Sequence, residues 1–162
     1  MRNVKHIRID DRLIHGQIVH AWLSATGATT IVVADDKAAE DEFQKCLLKM
    51  AVPPKIKLKV LSVQAAAAWL SDESVAGGDV LLILRNAQSA LDLANAGFVP
   101  ERINVGNVSA APGRVQYSKS VFLDEMERYR FESLREKGIS LEIQVVPGER
   151  KEDLFHLLDR LS

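Results

Sequence analysis

Residues 10–17, with the sequence DDRLIHGQ, combine three groups that together suit a phosphoryl group. Arg12 carries a permanent positive charge and a planar fork of N–H donors that matches phosphate or carboxylate. His15 is a side chain that can be neutral near pH 7 and can then act as a nucleophile. Gly16 would allow a ligand to approach the backbone where a helix begins, and the free N–H groups of a helix start attract anions. The spacing of these residues therefore predicts a loop that holds a phosphoryl group.

The surrounding sequence indicates which elements position that loop. Residues 4–9 alternate around apolar positions as in a strand, and residues 17–25 place apolar side chains at helical spacing. The alternation continues, with strands predicted at residues 29–34, 56–61, 80–84, 102–105, 118–123 and 141–145, and helices at residues 38–50, 63–70, 89–96, 125–137 and 151–161. Such alternation predicts a single α/β domain over residues 1–162, with an open, mainly parallel twisted sheet and helices on both faces.

Some of these segments carry more detailed expectations. Lysines at positions 55, 57 and 59 are typical of an edge strand, whereas the apolar run at residues 80–84 is expected near the sheet centre. A turn is predicted at Gly77 and Gly78. In residues 38–50, helical spacing predicts inward-facing side chains at Phe43, Leu47, Met50 and the adjacent Ala51. Cys46 is expected to be a buried helix residue beside Leu47 and Leu48.

Four loops are predicted at the carboxyl ends of parallel strands, the edge at which open α/β sheets bind ligands. They hold residues 10–16, Asp35 with Asp36, Arg85 with Asn86, and Gly106 with Asn107. The two aspartates are also the residues expected to cap the next helix. The Gly106-Asn107 pair suits either a turn that needs positive φ or close approach of the backbone to a ligand.

The paired carboxylates of the first loop also have two interpretations. Asp10 and Asp11 are typical turn and capping residues, and either could pair with Arg12 in an ordinary salt bridge. One of them could instead accept a hydrogen bond from His15 and so orient its ring.

The composition limits the classes of function. The chain has 162 residues and a formal net charge of −1, so it has no overall positive field that would attract nucleic acid or anionic lipid. Its single cysteine and its histidine spacing do not fit a metal site. The sequence motifs of ATP-binding kinases, dinucleotide enzymes and esterases are absent. With no leader or membrane-spanning pattern, the protein is expected to be cytoplasmic and to reach a membrane only through a partner.

Residues 8–17, RIDDRLIHGQ, resemble the signature of the IIB component of the mannose/fructose/sorbose family of the bacterial sugar phosphotransferase system (PTS). Trp22 matches the tryptophan of the family's first helix. Residues 31–36 (IVVADD), 103–107 (INVGN) and 144–147 (QVVP) resemble further family segments in order. The resemblance covers nearly the whole chain.

The resemblance implies a phosphoryl relay. A phosphohistidine on a IIA partner would phosphorylate His15 at Nδ1, and His15 would pass the group to a sugar held by the membrane IIC and IID components. The protein would then be a protein-Nπ-phosphohistidine–sugar phosphotransferase that associates peripherally with the membrane transporter. Arg12 would balance the charge of the transferring group, and the N–H groups around Gly16 and Gln17 would add the field of the helix start. A second set of residues would support this site: Asp10, Asp11, Asp35, Asp36, Arg85, Gly106 and Asn107. No metal, nucleotide or other cofactor is expected, because the donor is already activated.

Two alternatives remain open at this stage. The protein could be a stand-alone phosphohistidine regulator, or an unrelated α/β enzyme that binds a phosphorylated metabolite at the same loop. The sequence leaves open the oligomeric state and the sugar, with mannose, fructose, sorbose and amino sugars as candidates. The IIA partner is expected on a separate polypeptide or on a part of a longer protein.

Overall fold

This computed structural model describes residues 3–74 and 78–161, and apolar runs of β-branched and aliphatic residues form two central strands of its sheet, β2 (Thr30–Ala34) and β4 (Asp79–Leu84). The strands are β1 (Asn3–Asp10), β2 (Thr30–Ala34), β3 (Lys57–Leu61), β4 (Asp79–Leu84), β5 (Arg102–Asn107), β6 (Val115–Ser118), β7 (Val121–Leu123), β8 (Ser140–Ile143) and β9 (Glu152–Asp153). The helices are α1 (Gly16–Thr26), α2 (Asp36–Ala39), α3 (Glu42–Met50), α4 (Val63–Ser71), α5 (Ala87–Asn95), α6 (Glu125–Glu136) and α7 (Leu154–Arg160). The turn predicted at Gly77 lies outside the described residues.

Seven strands form one sheet in the order β3-β2-β4-β1-β5-β8-β9. The pairings from β3 to β8 are parallel, and only the short β9 pairs antiparallel. The carboxyl ends of β1, β2, β4 and β5 therefore meet at one edge of the sheet. Strand β3 lies at the sheet edge and β4 lies between β2 and β1, as the lysine pattern and the apolar run predicted.

Successive side chains of a strand point to opposite faces of the sheet. Both faces of the central strands are apolar, and helices therefore cover both. One apolar cluster joins α4, α5, α6 and α7 to the face that carries Ile9 and Leu82. The other joins α1, α2 and α3 to the face that carries Ile31 and Ile83. The predicted α/β fold, a mainly parallel sheet with helices on both faces, is confirmed. Within the described part of the chain, no helix is long and apolar enough to cross a membrane.

The prediction of one helix over residues 38–50 is wrong. The segment forms two helices, because the Asp41 carboxylate accepts a hydrogen bond from the Gln44 N–H and starts a new helix there. This new start changes the face that α3 turns to the sheet. Leu48 is the buried residue of α3, whereas the residues predicted to face inward are exposed, namely Phe43, Cys46, Leu47 and Met50. Ala51 is partly buried against the cluster.

Three further boundaries differ from the sequence prediction. Residues 118–123 are not one strand, because β6 and β7 form a separate antiparallel hairpin that turns within this segment. The helix predicted at residues 151–161 starts at Leu154, since the Asp153 carboxylate accepts a hydrogen bond from the Phe155 N–H and caps it. Helix α5 starts two residues earlier than predicted, at Ala87, because Asn86 caps it.

Candidate functional site

The loop after β1 is held by two buried apolar side chains. A hydrogen bond from the Leu13 N–H to the Asp10 carbonyl oxygen, 2.9 Å, closes a tight turn. Leu13 has φ +60°, a left-handed conformation that is costly for a branched residue and persists here because its side chain is buried. Ile14 is also buried. The two anchors are adjacent and are flanked by Arg12 and His15, whose residues are exposed to solvent.

His15 is the N-cap residue of α1, and its imidazole is not bonded by any side chain in the described part of the chain. The other six described helices each have a side chain that caps their first turn, and α1 has none. A Cβ added at Gly16 would meet nothing within 4 Å. The backbone N–H groups at the start of α1 therefore remain open to an anion beside the His15 ring.

Arg12 is fixed by a carboxylate that lies beneath it. Its Nε and one terminal nitrogen each donate to the Asp10 carboxylate at 3.1 Å, and its backbone N–H donates to the same group at 3.0 Å. The Arg12 side chain is 36% exposed, whereas that of Asp10 is 1% exposed. A guanidinium has five N–H bonds, so this fork leaves three for a ligand. Asp10 thus sets the direction of Arg12 while leaving donors free.

A second arginine supports the same carboxylate from inside the protein. The Arg8 guanidinium lies 3.3 Å from Asp10 Oδ2, and it donates to Asn104 Oδ1 at 2.7 Å and to the Gln144 carbonyl oxygen at 3.1 Å. Burial lowers the pKa of Arg8, and the adjacent Asp10 carboxylate opposes that shift. The buried anion therefore has a cation on each side, which offsets part of its desolvation cost.

Gly106 has a structural role that differs from both interpretations of the sequence. It lies within β5 and is not among the described glycines with positive φ, so the predicted turn is wrong. A Cβ at this position would lie 2.0 Å from Arg8 Cζ. Glycine is required here because the Arg8 side chain lies directly against the backbone.

Asp11 joins the loop to the end of β5. Its carboxylate accepts hydrogen bonds from Asn107 Nδ2 and the Ser109 N–H, each at 2.7 Å, and from Ser109 Oγ at 3.0 Å. With Asp10 and Asp11 both engaged in this way, neither orients the His15 ring in this structure. Asn107 thus belongs to the site as a support of the loop.

The neighbouring strand ends are joined by an ion pair. Arg85 donates from Nε and a terminal nitrogen to the two oxygens of Asp35, at 2.9 and 2.8 Å. Burial favours a raised pKa for the Asp35 carboxyl, but the hydrogen bonds from Arg85 and the Ala38 N–H outweigh it and hold the pKa below its usual value. The hydrogen bond to Asp35 raises the pKa of Arg85, and Asp11 adds to this by its charge.

The two aspartates after β2 also act as caps. Asp35 caps α2 through the Ala38 N–H, and Asp36 accepts from the Val63 N–H at the start of α4, at 2.9 Å. The capping interpretation therefore describes both residues. Asp35 combines it with the pair to Arg85, whereas Asp36 bonds away from the His15 loop.

The site residues predicted from the sequence did not include four that the structure places here, namely His6, Arg8, Asn104 and Ser109. The signal for Arg8 was a charged residue inside a strand, on the same face as Asp10. His6 stacks on the Trp22 ring with 4.0 Å between the ring centroids and shares a 3.2 Å hydrogen bond with Asn104 Oδ1. Burial lowers the pKa of His6 to about 4.

In residues 3–74 and 78–161, no cluster of three potential metal ligands is found.

Fold and site together define a class of protein: an open α/β sheet whose carboxyl edge presents an unbonded histidine and an anchored arginine beside a helix start. The family model of the PTS system sorbose subfamily IIB component matches residues 4–161. The chain therefore belongs to the IIB components of the mannose/fructose/sorbose family of the sugar PTS, which are phosphotransferases.

Individual relatives support this assignment. The fructose-specific EIIB component of Bacillus subtilis is 34% identical over 162 residues, covering 100% of this chain and 99% of the relative. The mannose-specific EIIAB component of Escherichia coli is 31% identical over 155 residues, covering 96% of this chain and 48% of the relative. The crystal structure of the IIBSor domain of the Klebsiella pneumoniae sorbose permease superposes with a TM-score of 0.92 at 28% identity, covering 99% and 98% of the two chains.

Proposed function

We propose that His15 is the phosphorylated residue of a sugar PTS, which accepts the group from phosphohistidine on a IIA partner and transfers it to a sugar. The observation that carries this proposal is the unbonded, exposed His15 ring at the uncapped start of α1. Arg12, three residues earlier, keeps N–H donors free above its anchor on Asp10. Nucleophile, cation and helix-start N–H groups are thus provided by one loop.

In the first step, the Nδ1 lone pair of a neutral His15 attacks phosphorus as the N–P bond of the donor breaks. The electron pair returns to the donor ring, and each ring keeps the proton on its other nitrogen. Arg12 and the first N–H groups of α1 then balance the negative charge on the equatorial oxygens. This exchange is nearly symmetric, so positioning and charge balance are the contributions that the protein makes.

In the second step, a sugar hydroxyl oxygen attacks phosphorus and the N–P bond to His15 breaks. The hydroxyl proton passes to a base of the sugar site or to solvent. The sugar would be held by the membrane IIC and IID components, so this chain would work at the cytoplasmic side of the membrane. No metal, nucleotide or other cofactor takes part in either step, because phosphohistidine is already an activated donor.

The test is phosphorylation of the purified chain by a phosphorylated IIA partner. His15→Ala should remove all acid-labile phosphate from this chain, read by mass spectrometry or by a mobility shift. His20→Ala is the matched control, since His20 is an exposed histidine one and a half turns later on the same helix, and it should be labelled normally. Full labelling of His15→Ala would contradict the proposal.

A vesicle assay with the membrane components tests the second step. Phosphorylated wild type should lose its phosphate as sugar phosphate appears. If the phosphorylated protein were instead stable in the presence of active transporter and sugar, the result would favour the alternative function, a stand-alone phosphohistidine regulator.

A further inference from the structure

The side of the sheet that faces α1 carries a polar pocket over β5 and β8. Helices α1, α2 and α3 pack on β2 and β4, and among the described residues none of β5 or β8 belongs to their apolar cluster. The pocket encloses about 620 Å³, within the range of about 300–1,000 Å³ that is usual for small-molecule sites. We call it the β5–β8 pocket, and the lining residues that matter here are His6, Trp22, Arg102, Glu142, Gln144 and Lys151.

A bulge in β1 directs two polar residues into this pocket. Val4 and Ile7 both pack in the apolar cluster on the other side of the sheet, although strict alternation would turn them to opposite sides. The register of β1 against β4 shifts between Val4 and His6, which accommodates one extra residue. Lys5 and His6 therefore both line the pocket. Bulges are rare in parallel strand pairs, and they often lie next to functional sites, where they redirect a side chain.

His6 presents an unprotonated ring nitrogen to the pocket. Asn104 Nδ2 donates to the Gln144 carbonyl oxygen at 2.9 Å, and Asn104 Oδ1 accepts from Arg8 at 2.7 Å. These bonds fix the orientation of the amide, so His6 Nε2 is the donor in its 3.2 Å hydrogen bond to Asn104 Oδ1. Burial lowers the pKa of His6 to about 4, so the ring is neutral at pH 7 and Nδ1 keeps its lone pair. Nδ1 is not one of the buried atoms that lack a partner, so a ligand can reach it.

Glu142 offers acceptors directly beside donors. Its side chain is 27% exposed, and its carboxylate lies 3.7 Å from Arg102 Nε and 3.4 Å from Lys151 Nζ. Both distances exceed the roughly 2.7–2.9 Å of a charge-assisted hydrogen bond, so the carboxylate and the two cations can each bond a ligand. Gln144 adds another acceptor, because its Nε2 donates to the Glu149 carbonyl oxygen and its Oε1 is not among the buried atoms without a partner.

We propose that the β5–β8 pocket binds a neutral polyhydroxylated molecule, a free hexose or amino hexose. A hydroxyl group both donates and accepts, so neighbouring hydroxyls of one ring can donate to His6 Nδ1 and to Glu142 while they accept from Lys151. The pocket lies over the amino-terminal halves of β1 and β5, whereas His15 follows the carboxyl end of β1. It is thus a second site, apart from the proposed phosphoryl transfer, and binding to it can be measured without any phosphate.

Other classes of ligand fit the lining less well. The basic side chains of Lys5, Arg102 and Lys151 repel a cation. A phosphate or carboxylate would have to displace Glu142 from between its two cations. An apolar molecule would remove water from these polar groups and give them no partner in return. A ring of hydroxyls carries no charge and supplies both donors and acceptors.

Trp22 reports directly on the pocket, because the His6 ring stacks on it with 4.0 Å between the ring centroids. Trp69→Phe leaves Trp22 as the single tryptophan, since the chain has two. The probes are mannose, fructose, sorbose and N-acetylgalactosamine, each titrated alone. We expect at least one of them to change Trp22 fluorescence saturably at millimolar concentration. In wild type, the same sugar should shift the ¹⁵N resonance of His6 Nδ1 and leave those of the exposed His20 unchanged.

Variants of the lining locate the bound sugar. Lys151→Met and Glu142→Gln should each weaken binding about tenfold, the loss expected when one hydrogen bond to a charged group is removed. The matched controls are Lys137→Met and Glu136→Gln, at the exposed end of α6 on the other side of the sheet, and they should bind as wild type does.

Three results would overturn the inference. The first is the absence of any response to the four sugars, and the second is wild-type binding by both Lys151→Met and Glu142→Gln. The third is tighter binding of inorganic phosphate than of any sugar, which would make the pocket an anion site.

Discussion

The Arg8 guanidinium carbon lies 2.0 Å from the point at which a Cβ on residue 106 would stand. Because residue 106 has no side chain, Arg8 can reach Asp10. Asp10 in turn fixes the position of Arg12, so Gly106 indirectly determines where Arg12 lies. The charge that is exposed beside His15 depends on a glycine in a different strand. This relationship leads to the first prediction.

Gly106→Ala should displace Arg8 and leave Asp10 with one cation. We expect the free energy of unfolding to fall by about 2–4 kcal/mol, because a buried ion pair loses a partner and the core is overpacked. The rate of phosphate uptake from IIA should fall about tenfold or more as Arg12 loses its fixed direction. Urea denaturation and single-turnover phosphorylation measure the two effects. Gly16→Ala is the control for stability, because open space surrounds that position. A wild-type rate of phosphate uptake in Gly106→Ala would contradict the dependence of Arg12 on Gly106.

Arg12→Lys should retain the fold and some phosphate uptake but slow the transfer to sugar. A lysine keeps the charge, yet its ammonium cannot pair with both oxygens of Asp10 and still present donors to phosphate. We expect a loss of about 10–100-fold in the rate of sugar phosphate formation, in line with other charge-stabilising groups. Arg160→Lys, at an exposed arginine of α7, should have no effect. If transfer to sugar were unchanged in Arg12→Lys, the arginine would have no part in that step.

Arg85→Gln should destabilise the protein more at neutral pH than in acid. The Asp35 pKa is held low in the folded wild type, so this carboxyl stabilises the fold above the unfolded pKa of about 3.9 and loses that contribution as the pH falls. Without Arg85, burial dominates and raises the Asp35 pKa. We expect a loss of about 2–3 kcal/mol at pH 7 that becomes smaller towards pH 4, measured by denaturation at each pH.

Arg85→Gln combined with Asp35→Asn provides the control for that effect. The double variant has no buried carboxylate at this position, so its loss of stability should not change with pH between 7 and 4. A constant difference between Arg85→Gln and wild type over the same range would contradict the assignment.

His6 should make the protein less stable in weak acid. Its pKa is lowered from 6.5 to about 4 in the folded state, so the unfolded chain binds the proton first and stability falls as the pH decreases through this window. The contribution amounts to up to about 2 kcal/mol between pH 7.5 and pH 5. His6→Gln should remove that part of the pH dependence, whereas the exposed His20→Gln should retain it. Identical pH profiles for His6→Gln and wild type would exclude His6 as the cause.

The amino-acid sequence by itself determined the alternation of strands and helices, the edge position of β3 and the loop that carries Arg12 and His15. These features follow from local patterns, because apolar periodicity and turn residues act over a few positions. The family resemblance in residues 8–17 depends on the same local information, and the comparisons confirm it.

Only the tertiary structure decided how the site is supported and which surfaces are free. Arg8 lies 96 positions before Asn104 in sequence, and it meets Asn104 and Gly106 because β1 pairs with β5. The exposed face of α3 depends on the rotation of that helix after Asp41, which apolar spacing alone predicted incorrectly. Contacts between distant segments arise from chain pairing and helix packing, so a local pattern can point to a candidate reacting residue such as His15 but cannot identify what holds its loop in place.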